Sequence, residues 1–218
     1  MLRSNYFRWA LYFFHVLVLV ICVVNFPSGQ FYTGWDNLHP EFDFSTNFRR
    51  SLFAGWQENY GLGTIGGHGF AATLPHNIIT YILSLFLPIE AIRPVFTFLM
   101  YYLGGLGMLF VSTTLVDRIV RHRGDNAPLI SAGAGFVASL YYMLNLGTSQ
   151  MFAVQLETFI ANFAALPWLF FSTLLILEQP NSKRILLFFF VNFFATLQGF
   201  IPSLFIAYLG ALLTFVSV

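Results

Sequence analysis

Three acidic side chains and a histidine follow the first long hydrophobic segment of the chain within a few positions. They are Asp36, His39, Glu41 and Asp43. A carboxylate at a membrane surface is partly removed from water, which raises its pKa and suits it to act as a general base. Asp36 comes first after the segment, beside Trp35, a residue type enriched where lipid meets water. The alternative is that these acids belong to an ordinary solvated loop, where such residues are common.

The same loop contains further groups that could bind a ligand. Acids together with His39, His68 and His76 could hold a divalent cation, although no tight ligand spacing such as HExxH is present. Five glycines lie between residues 61 and 69. Because no GK[ST] ending and no preceding strand accompany them, a nucleotide-binding loop is not predicted. They are interpreted as a flexible linker or, alternatively, as backbone N–H groups that contact a sugar or phosphate.

A surface helix is predicted over residues 45–60, with Ser45 as its N-cap. Apolar and aromatic side chains recur there with helical spacing. They are Phe48, Leu52, Phe53, Trp56 and Tyr60. Arg49 and Arg50 fall largely off this stripe, as do Gln57 and Glu58. The pattern is typical of an amphipathic helix that lies on a membrane surface.

Composition indicates an integral membrane protein. The 218 residues are 57% hydrophobic and 9% charged, and mean hydropathy is +0.72. Soluble domains carry about 25% charged residues. The net charge of +1, with no basic patch, argues against nucleic acid as a partner. The single cysteine, Cys22, excludes an intramolecular disulfide and a cysteine metal site.

Long apolar runs predict an all-α polytopic membrane helix bundle of about six membrane helices. The runs cover residues 9–26, 94–116, 129–146, 158–177 and 185–218. The last is long enough for two short helices, broken near Gln198-Gly199 and Pro202. The first is interpreted as an uncleaved anchor rather than a signal peptide, since no small-residue cleavage site follows it. Residues 1–218 then form one transmembrane module with a long external first loop, 27–91, which carries surface helices.

The basic residues predict the orientation. Seven of the ten fall on one side if the helices alternate: Arg3, Arg8, Arg118, Arg121, Arg123, Lys183 and Arg184. By the positive-inside rule that side, with the N-terminus, is cytoplasmic, and residues 27–91 and 147–157 are external. The membrane is expected to be the plasma (inner) membrane. Since the chain ends within an apolar run, we expect it to be the N-terminal portion of a longer protein.

Small and polar residues within the helices predict how the bundle packs. Glycines and serines spaced for close helix approach are Gly104, Gly105, Gly107, Ser131, Gly135 and Ser139. Polar residues concentrate at the external ends: Asn145, Gln150, Gln155, Glu157, Asn162 and Gln198. Glu157 is the one acid among them. This favours a single polar cavity at the external face, although a carboxylate in headgroup water is the alternative for Glu157.

The loop also resembles a known family. A first helix, an external loop opening with Gly-Trp-Asp-Asn, surface helices, and a Gly-rich turn into Leu-Pro look like the GT-C superfamily of membrane glycosyltransferases. The nearest likeness is to arabinofuranosyltransferase-like proteins of the cell envelope. The resemblance covers residues 1–115 in pattern and 30–75 in specific residues. Family members have more helices and often a soluble C-terminal domain.

The resemblance implies an inverting transfer of a sugar from a polyprenyl-phosphate donor to a glycan or lipid acceptor on the external face. Asp36 would be the base, and Glu157 would match a second acidic position. Arg49, Arg50 or Arg93 would neutralise the leaving phosphate. The remaining expected substrate-binding residues are Glu41, Asp43, Trp56 and His68. No certain cofactor is implied beyond the divalent cation considered above.

Two other functions fit the sequence. A transporter or flippase component would use polar residues near the middle of the membrane, and His15 and Asn192 are its support. A non-catalytic membrane assembly subunit would suit the short chain. Both alternatives are kept.

Overall fold

The computed structural model describes residues 4–27, 29–34, 40–53, 55–58, 61–65, 68–154, 156–196, 199 and 201–217, without the side chains of His68 and Arg123. Within these ranges the chain is helical and has no strand. One isolated antiparallel bridge joins Gln57 to Thr64. The all-α fold class predicted from the apolar runs is therefore confirmed.

The helices follow one another with short connections. They are α1 (Asn5–Val24), α2 (Phe44–Leu52), α3 (His68–Ala72), α4 (Leu74–Ser84), α5 (Ile89–Val120), a 3₁₀ helix (Arg121–Asn126), α6 (Ala127–Leu144), α7 (Leu146–Ala153), α8 (Glu157–Glu178), α9 (Ser182–Phe194) and α10 (Pro202–Ser217).

Four helical segments of the described chain are long and apolar enough to cross a membrane. They are Asn5–Val24, Ile89–Val120, Gly124–Leu144 and Glu157–Glu178. The predicted number of about six is not confirmed. Helices α9 and α10, with 13 and 16 residues, fall short of the roughly 20 needed to span the hydrocarbon layer. The final apolar run is interrupted between Phe194 and Pro202, because proline favours the first turn of a helix over its interior.

Helix α5 is the centre of the bundle. Helix α1 runs antiparallel to it, since the ring of Phe7 lies 5.4 Å from that of Phe110 and the ring of Phe26 lies 6.1 Å from that of Phe98. Helix α6 is also antiparallel to α5, whereas α8 runs parallel to it. The parallel pairing brings Arg93 to Glu157 at one end and Arg118 to Glu178 at the other.

Small residues allow these helices to approach closely. A Cβ atom added to Gly104 would meet the Phe163 ring of α8, and one added to Gly105 would meet Met143 of α6. Ser139 of α6 donates a 2.8 Å hydrogen bond to the carbonyl of Gly105. The packing role predicted for these residues is confirmed at these contacts.

The bundle has two charged ends. At the Arg118 end, Glu178 pairs with Arg118, its Oε2 atom lies 3.6 Å from Arg184, and Arg121 lies 3.5 Å from Asp117. At the opposite, Arg93 end lie the loop before α2, the start of α4 and the start of α8. The predicted grouping of these basic residues at one end is consistent with these contacts, while the side of the membrane they face stays a prediction.

Helix α2 differs from the surface helix predicted over residues 45–60. It begins at Phe44 and ends at Leu52, and its N-cap is Asp43 rather than Ser45. The Asp43 carboxylate accepts hydrogen bonds from the Thr46 amide at 3.0 Å and the Thr46 hydroxyl at 2.6 Å. These bonds satisfy donors of the first turn, so the helix starts one residue earlier.

The buried face of α2 is partly polar. Phe44, Asn47 and Ser51 are buried, and the Asn77 amide of α4 donates to the Ser51 hydroxyl at 2.5 Å. Leu52, Phe53 and Trp56 are exposed instead. The predicted apolar stripe therefore faces away from the protein at these positions, and Tyr60 lies outside the described residues.

Candidate functional site: a buried charged cluster beside an apolar groove

Four segments far apart in sequence bring one charged or titratable side chain each to the Arg93 end. Glu41 precedes α2, His76 lies in the first turn of α4, Arg93 lies in the second turn of α5, and Glu157 begins α8. Each helix delivers its side chain at or near its N-terminus, where the helix dipole stabilises negative charge. The arrangement suits the Glu157 carboxylate best.

Arg93 is the centre of the cluster and is only 4% exposed. Its Nη1 atom donates to the Glu41 carboxylate and, at 3.1 Å, to the Tyr32 carbonyl. Its Nη2 atom donates to the Glu41 carbonyl at 3.2 Å. The guanidinium also lies 5.0 Å from the ring centroid of Phe42, which adds a cation–π attraction.

Arg93 and Glu41 together join the two sides of the segment that contains Asp36. The Gly34 amide donates to the Glu41 carboxylate at 2.8 Å, and Arg93 contacts both Tyr32 and Glu41. Tyr32 and Gly34 precede residues 35–39, and Glu41 follows them. Asp36 and His39 lie outside the described residues, but the chain on both sides of them is fixed to the N-terminal end of α5.

Glu157 is 8% exposed and bridges two neighbours. Its Oε1 atom lies 3.4 Å from Arg93 Nε, and its Oε2 atom lies 3.2 Å from His76 Nε2. The contact with Nε is an ion pair without hydrogen-bond geometry, because this buried nitrogen has no hydrogen-bond partner among the described residues. The alternative of a carboxylate in headgroup water does not fit this degree of burial.

His76 is held against an aromatic ring. Its imidazole stacks on Phe96 with 4.5 Å between ring centroids. Burial lowers the pKa of His76; the nearby Glu157 carboxylate raises it, and Arg93 lowers it further, with burial the largest effect. The imidazole is therefore neutral near pH 7, and we assign its Nε2–H as the donor to Glu157.

A small polar cavity of about 30 Å³ lies at the cluster. Its lining consists of Glu41, Phe44, Asn47, Thr73, His76, Asn77, Thr80, Arg93, Glu157 and Thr158. Asn47 is 5% exposed and donates to the Pro40 carbonyl at 2.8 Å. Its Oδ1 atom has no hydrogen-bond partner within the described part of the chain. The space is enough for about two waters, or for the tip of a ligand.

An apolar groove of about 410 Å³ adjoins this cavity. It runs between α4, α5, α8 and α9, and its walls include Ile79, Leu99, Ala161, Trp168 and Leu187. His76 belongs to the lining of both the groove and the polar cavity. A polar site is thus placed at the end of a space suited to a hydrocarbon chain.

Several predicted site residues lie elsewhere. Asp43 is exposed as the α2 N-cap, and its bonds to Thr46 lower its pKa. Arg49 is exposed, and Arg50 lies 3.4 Å from Glu58. Of the expected substrate-binding set, the structure brings together Glu41 and Arg93, and joins them to Glu157.

Two further calls concern the edges of this loop. Trp56 is exposed, and a Cβ atom added to Gly63 would meet its indole. The side chain of His68 is outside the described part. Among the described residues, no three His, Cys, Asp or Glu side chains are grouped to hold a metal ion.

The sequence interpretation missed the direct roles of His76 and Asn47. His76 was considered only as a metal ligand, and Asn47 was not considered. A signal was present, because Asn47 and Ser51 are four residues apart and Asn77 and Thr80 are three apart. Polar pairs with helical spacing in an otherwise apolar chain indicate helix faces that contact each other.

The two polar residues near the middle of the membrane have local partners. His15 contacts the Leu11 carbonyl and, at 2.9 Å, the Tyr102 hydroxyl. Asn192 donates to the Phe188 carbonyl at 2.8 Å. Neither residue lines the polar cavity or the apolar groove.

Comparisons with protein families, curated proteins and solved structures gave no match to this chain. The resemblance to the GT-C superfamily therefore stays a prediction from sequence. The functional argument depends on the geometry at the Arg93 end.

Proposed function

We propose that this chain acts in a membrane glycosyltransferase that moves a sugar from a polyprenyl-phosphate carrier to an acceptor at the external face. One observation supports this most: the buried Glu157–His76 pair lies where the apolar groove meets the polar cavity. A reaction between a lipid-linked substrate and a polar group needs acid–base groups at such a junction.

The proposed reaction is a single displacement. The acceptor hydroxyl oxygen forms a bond to the anomeric carbon, and the bond from that carbon to the carrier phosphate oxygen breaks. The hydroxyl proton passes to a carboxylate, and the phosphate leaves with the electron pair. Asp36 is the proposed base, and Glu157 is the second acid, oriented by His76 and Arg93.

The structure changes the assignment of the phosphate-binding residue. Arg93 already faces two carboxylates, so little of its positive charge is available to a leaving phosphate. Arg49 is exposed in the last turn of α2, and we assign it this role together with Arg50. The Arg93 side chain instead positions the loop next to Asp36.

The first prediction concerns Asp36. Replacement by asparagine keeps the shape and removes the basic oxygen, so transfer should fall by about 10²–10⁴-fold, with donor binding nearly unchanged. The measurement is sugar transfer from a labelled polyprenyl-phosphate sugar by the purified protein in lipid vesicles. Asp43→Asn, at an exposed helix cap, is the control and should cost less.

Two results would count against the proposal. Near-normal transfer by Asp36→Asn would make this base assignment wrong, and Glu157→Gln would then be the variant to test. No transfer by the unchanged protein from any polyprenyl-phosphate sugar would favour the non-catalytic assembly subunit. Transport keeps little support, because His15 and Asn192 bond to their neighbours.

A further inference from the structure

We infer that the apolar groove and the polar cavity together bind a lipid with an uncharged, hydroxyl-bearing headgroup. This inference rests on the proposed function, in which such a lipid is the acceptor of the sugar. The groove would take its hydrocarbon chain, and the cavity would take its hydroxyl. The phosphorylated carrier would bind elsewhere.

Continuity between the two spaces is the first argument. His76 lines both, and Phe96, on which it stacks, lines the groove. A chain lying along Leu99 and Ala161 would therefore bring its headgroup to His76. The groove volume of about 410 Å³ falls in the range of about 300–1,000 Å³ that is usual for small-ligand sites.

Charge is the second argument. Among the described residues of the cavity wall, Glu41 and Glu157 are negative, Arg93 is positive, and His76 is held neutral by burial. The sum of these charges is −1. A phosphate would be repelled at close range, since like charges in a site of low dielectric interact strongly. An uncharged headgroup avoids this cost.

Hydrogen-bonding capacity is the third argument. Asn47 Oδ1 needs a donor, and Arg93 Nε needs an acceptor, because each is buried without a hydrogen-bond partner among the described residues. A hydroxyl can donate to the first and accept from the second. An ionised phosphate cannot donate to Asn47, and an ammonium group cannot accept from Arg93. The hydroxyl therefore fits both atoms.

The test compares two lipids that differ only in phosphate. Purified full-length protein in phosphatidylcholine nanodiscs is exposed to photoreactive diacylglycerol or to phosphatidic acid with the same chains. Cross-linked peptides are then mapped by mass spectrometry. We expect diacylglycerol to label α4, α5, α8 or α9 at the groove at least about tenfold more than phosphatidic acid, since like-charge contacts cost several kcal/mol.

Two variants sharpen the test. Glu157→Gln removes one negative charge and should reduce the preference for diacylglycerol. Ala161→Leu fills the groove and should reduce labelling by diacylglycerol, while leaving the charged cluster in place. Gly133→Leu is the matched control, because Gly133 lies beside a separate groove and a Cβ atom there would meet no described atom within 4 Å.

Each outcome has a definite meaning. Stronger labelling by phosphatidic acid would overturn the inference and assign the groove to a phosphorylated carrier. Equal labelling by both lipids, or labelling unaffected by Ala161→Leu, would overturn it in favour of ordinary surrounding lipid. The transfer assay is separate, so a protein that prefers diacylglycerol but transfers no sugar would retain the lipid site and lose the proposed function.

Discussion

His76 couples the charged cluster to the apolar groove, and its charge state decides the character of both. The folded protein holds the imidazole neutral because burial lowers its pKa below the ordinary value of 6.5. The unfolded chain therefore binds a proton more readily than the folded protein does. The resulting contribution to stability is fully present above about pH 6.5 and is lost as pH falls toward the lower pKa of the folded state.

We predict that acid lowers the stability of the protein through His76. The melting temperature in detergent should be lower at pH 5 than at pH 7.5, and His76→Gln should make this difference smaller. His122→Gln is the control, because that residue is exposed in the 3₁₀ helix. An equal pH dependence in the unchanged protein and in His76→Gln would contradict the prediction.

Arg93 should matter more for stability than arginines at the other end. Arg93→Met would leave Glu41 and Glu157 near one another without their cation, a loss on the order of 3 kcal/mol for a buried pair. Arg118→Met, at a half-exposed pair with Glu178, should cost below about 1 kcal/mol. Chemical unfolding in detergent measures both, and equal losses would show that the Arg93 cluster does not hold the loop.

At the scale of the elements, α5 and α6 depend on contacts that only glycine permits. A Cβ atom on Gly135 would meet the Thr113 hydroxyl and lie 3.0 Å from the Leu109 carbonyl oxygen. The second neighbour is backbone, so the helices must separate. A Cβ atom on Gly133, two residues earlier in the same helix, would meet no described atom within 4 Å.

This pair gives a direct prediction. Gly135→Ala should destabilise the protein by about 1–3 kcal/mol, the usual cost of overpacking. Gly133→Ala should be neutral or stabilising by up to about 1 kcal/mol, because alanine is the better helix former. Unfolding in detergent compares the two, and equal effects would mean that α5 and α6 do not pack closely at Gly135.

At the scale of the whole molecule, the two charged ends must face opposite sides of the membrane. We predict that the Arg93 end is external. In a Cys22→Ser background, Ser45→Cys should react with an impermeant thiol reagent in intact cells. Ser182→Cys, exposed near the Arg118 end, should react only after permeabilisation. The reverse pattern would make the orientation wrong and would place Asp36 in the cytoplasm.

The sequence by itself determined the properties that depend on composition and local spacing. Apolar runs of about 20 residues predict helices wherever they occur, because backbone groups in lipid must bond within their own helix. The glycines and serines of α5 and α6 likewise predict close packing. Local rules are weaker at helix ends: Asp43 and Ser45 are both good N-caps, and the sequence interpretation chose the wrong one.

Only the tertiary structure decided which polar residues meet. Arg93 contacts Glu41, 52 positions earlier, and also Glu157, in a later helix. Nothing in the local sequence of α4 links His76 to Glu157. Their contact depends on how α4, α5 and α8 dock, and docking is set by side-chain packing along whole helices rather than by the spacing of residues within one of them.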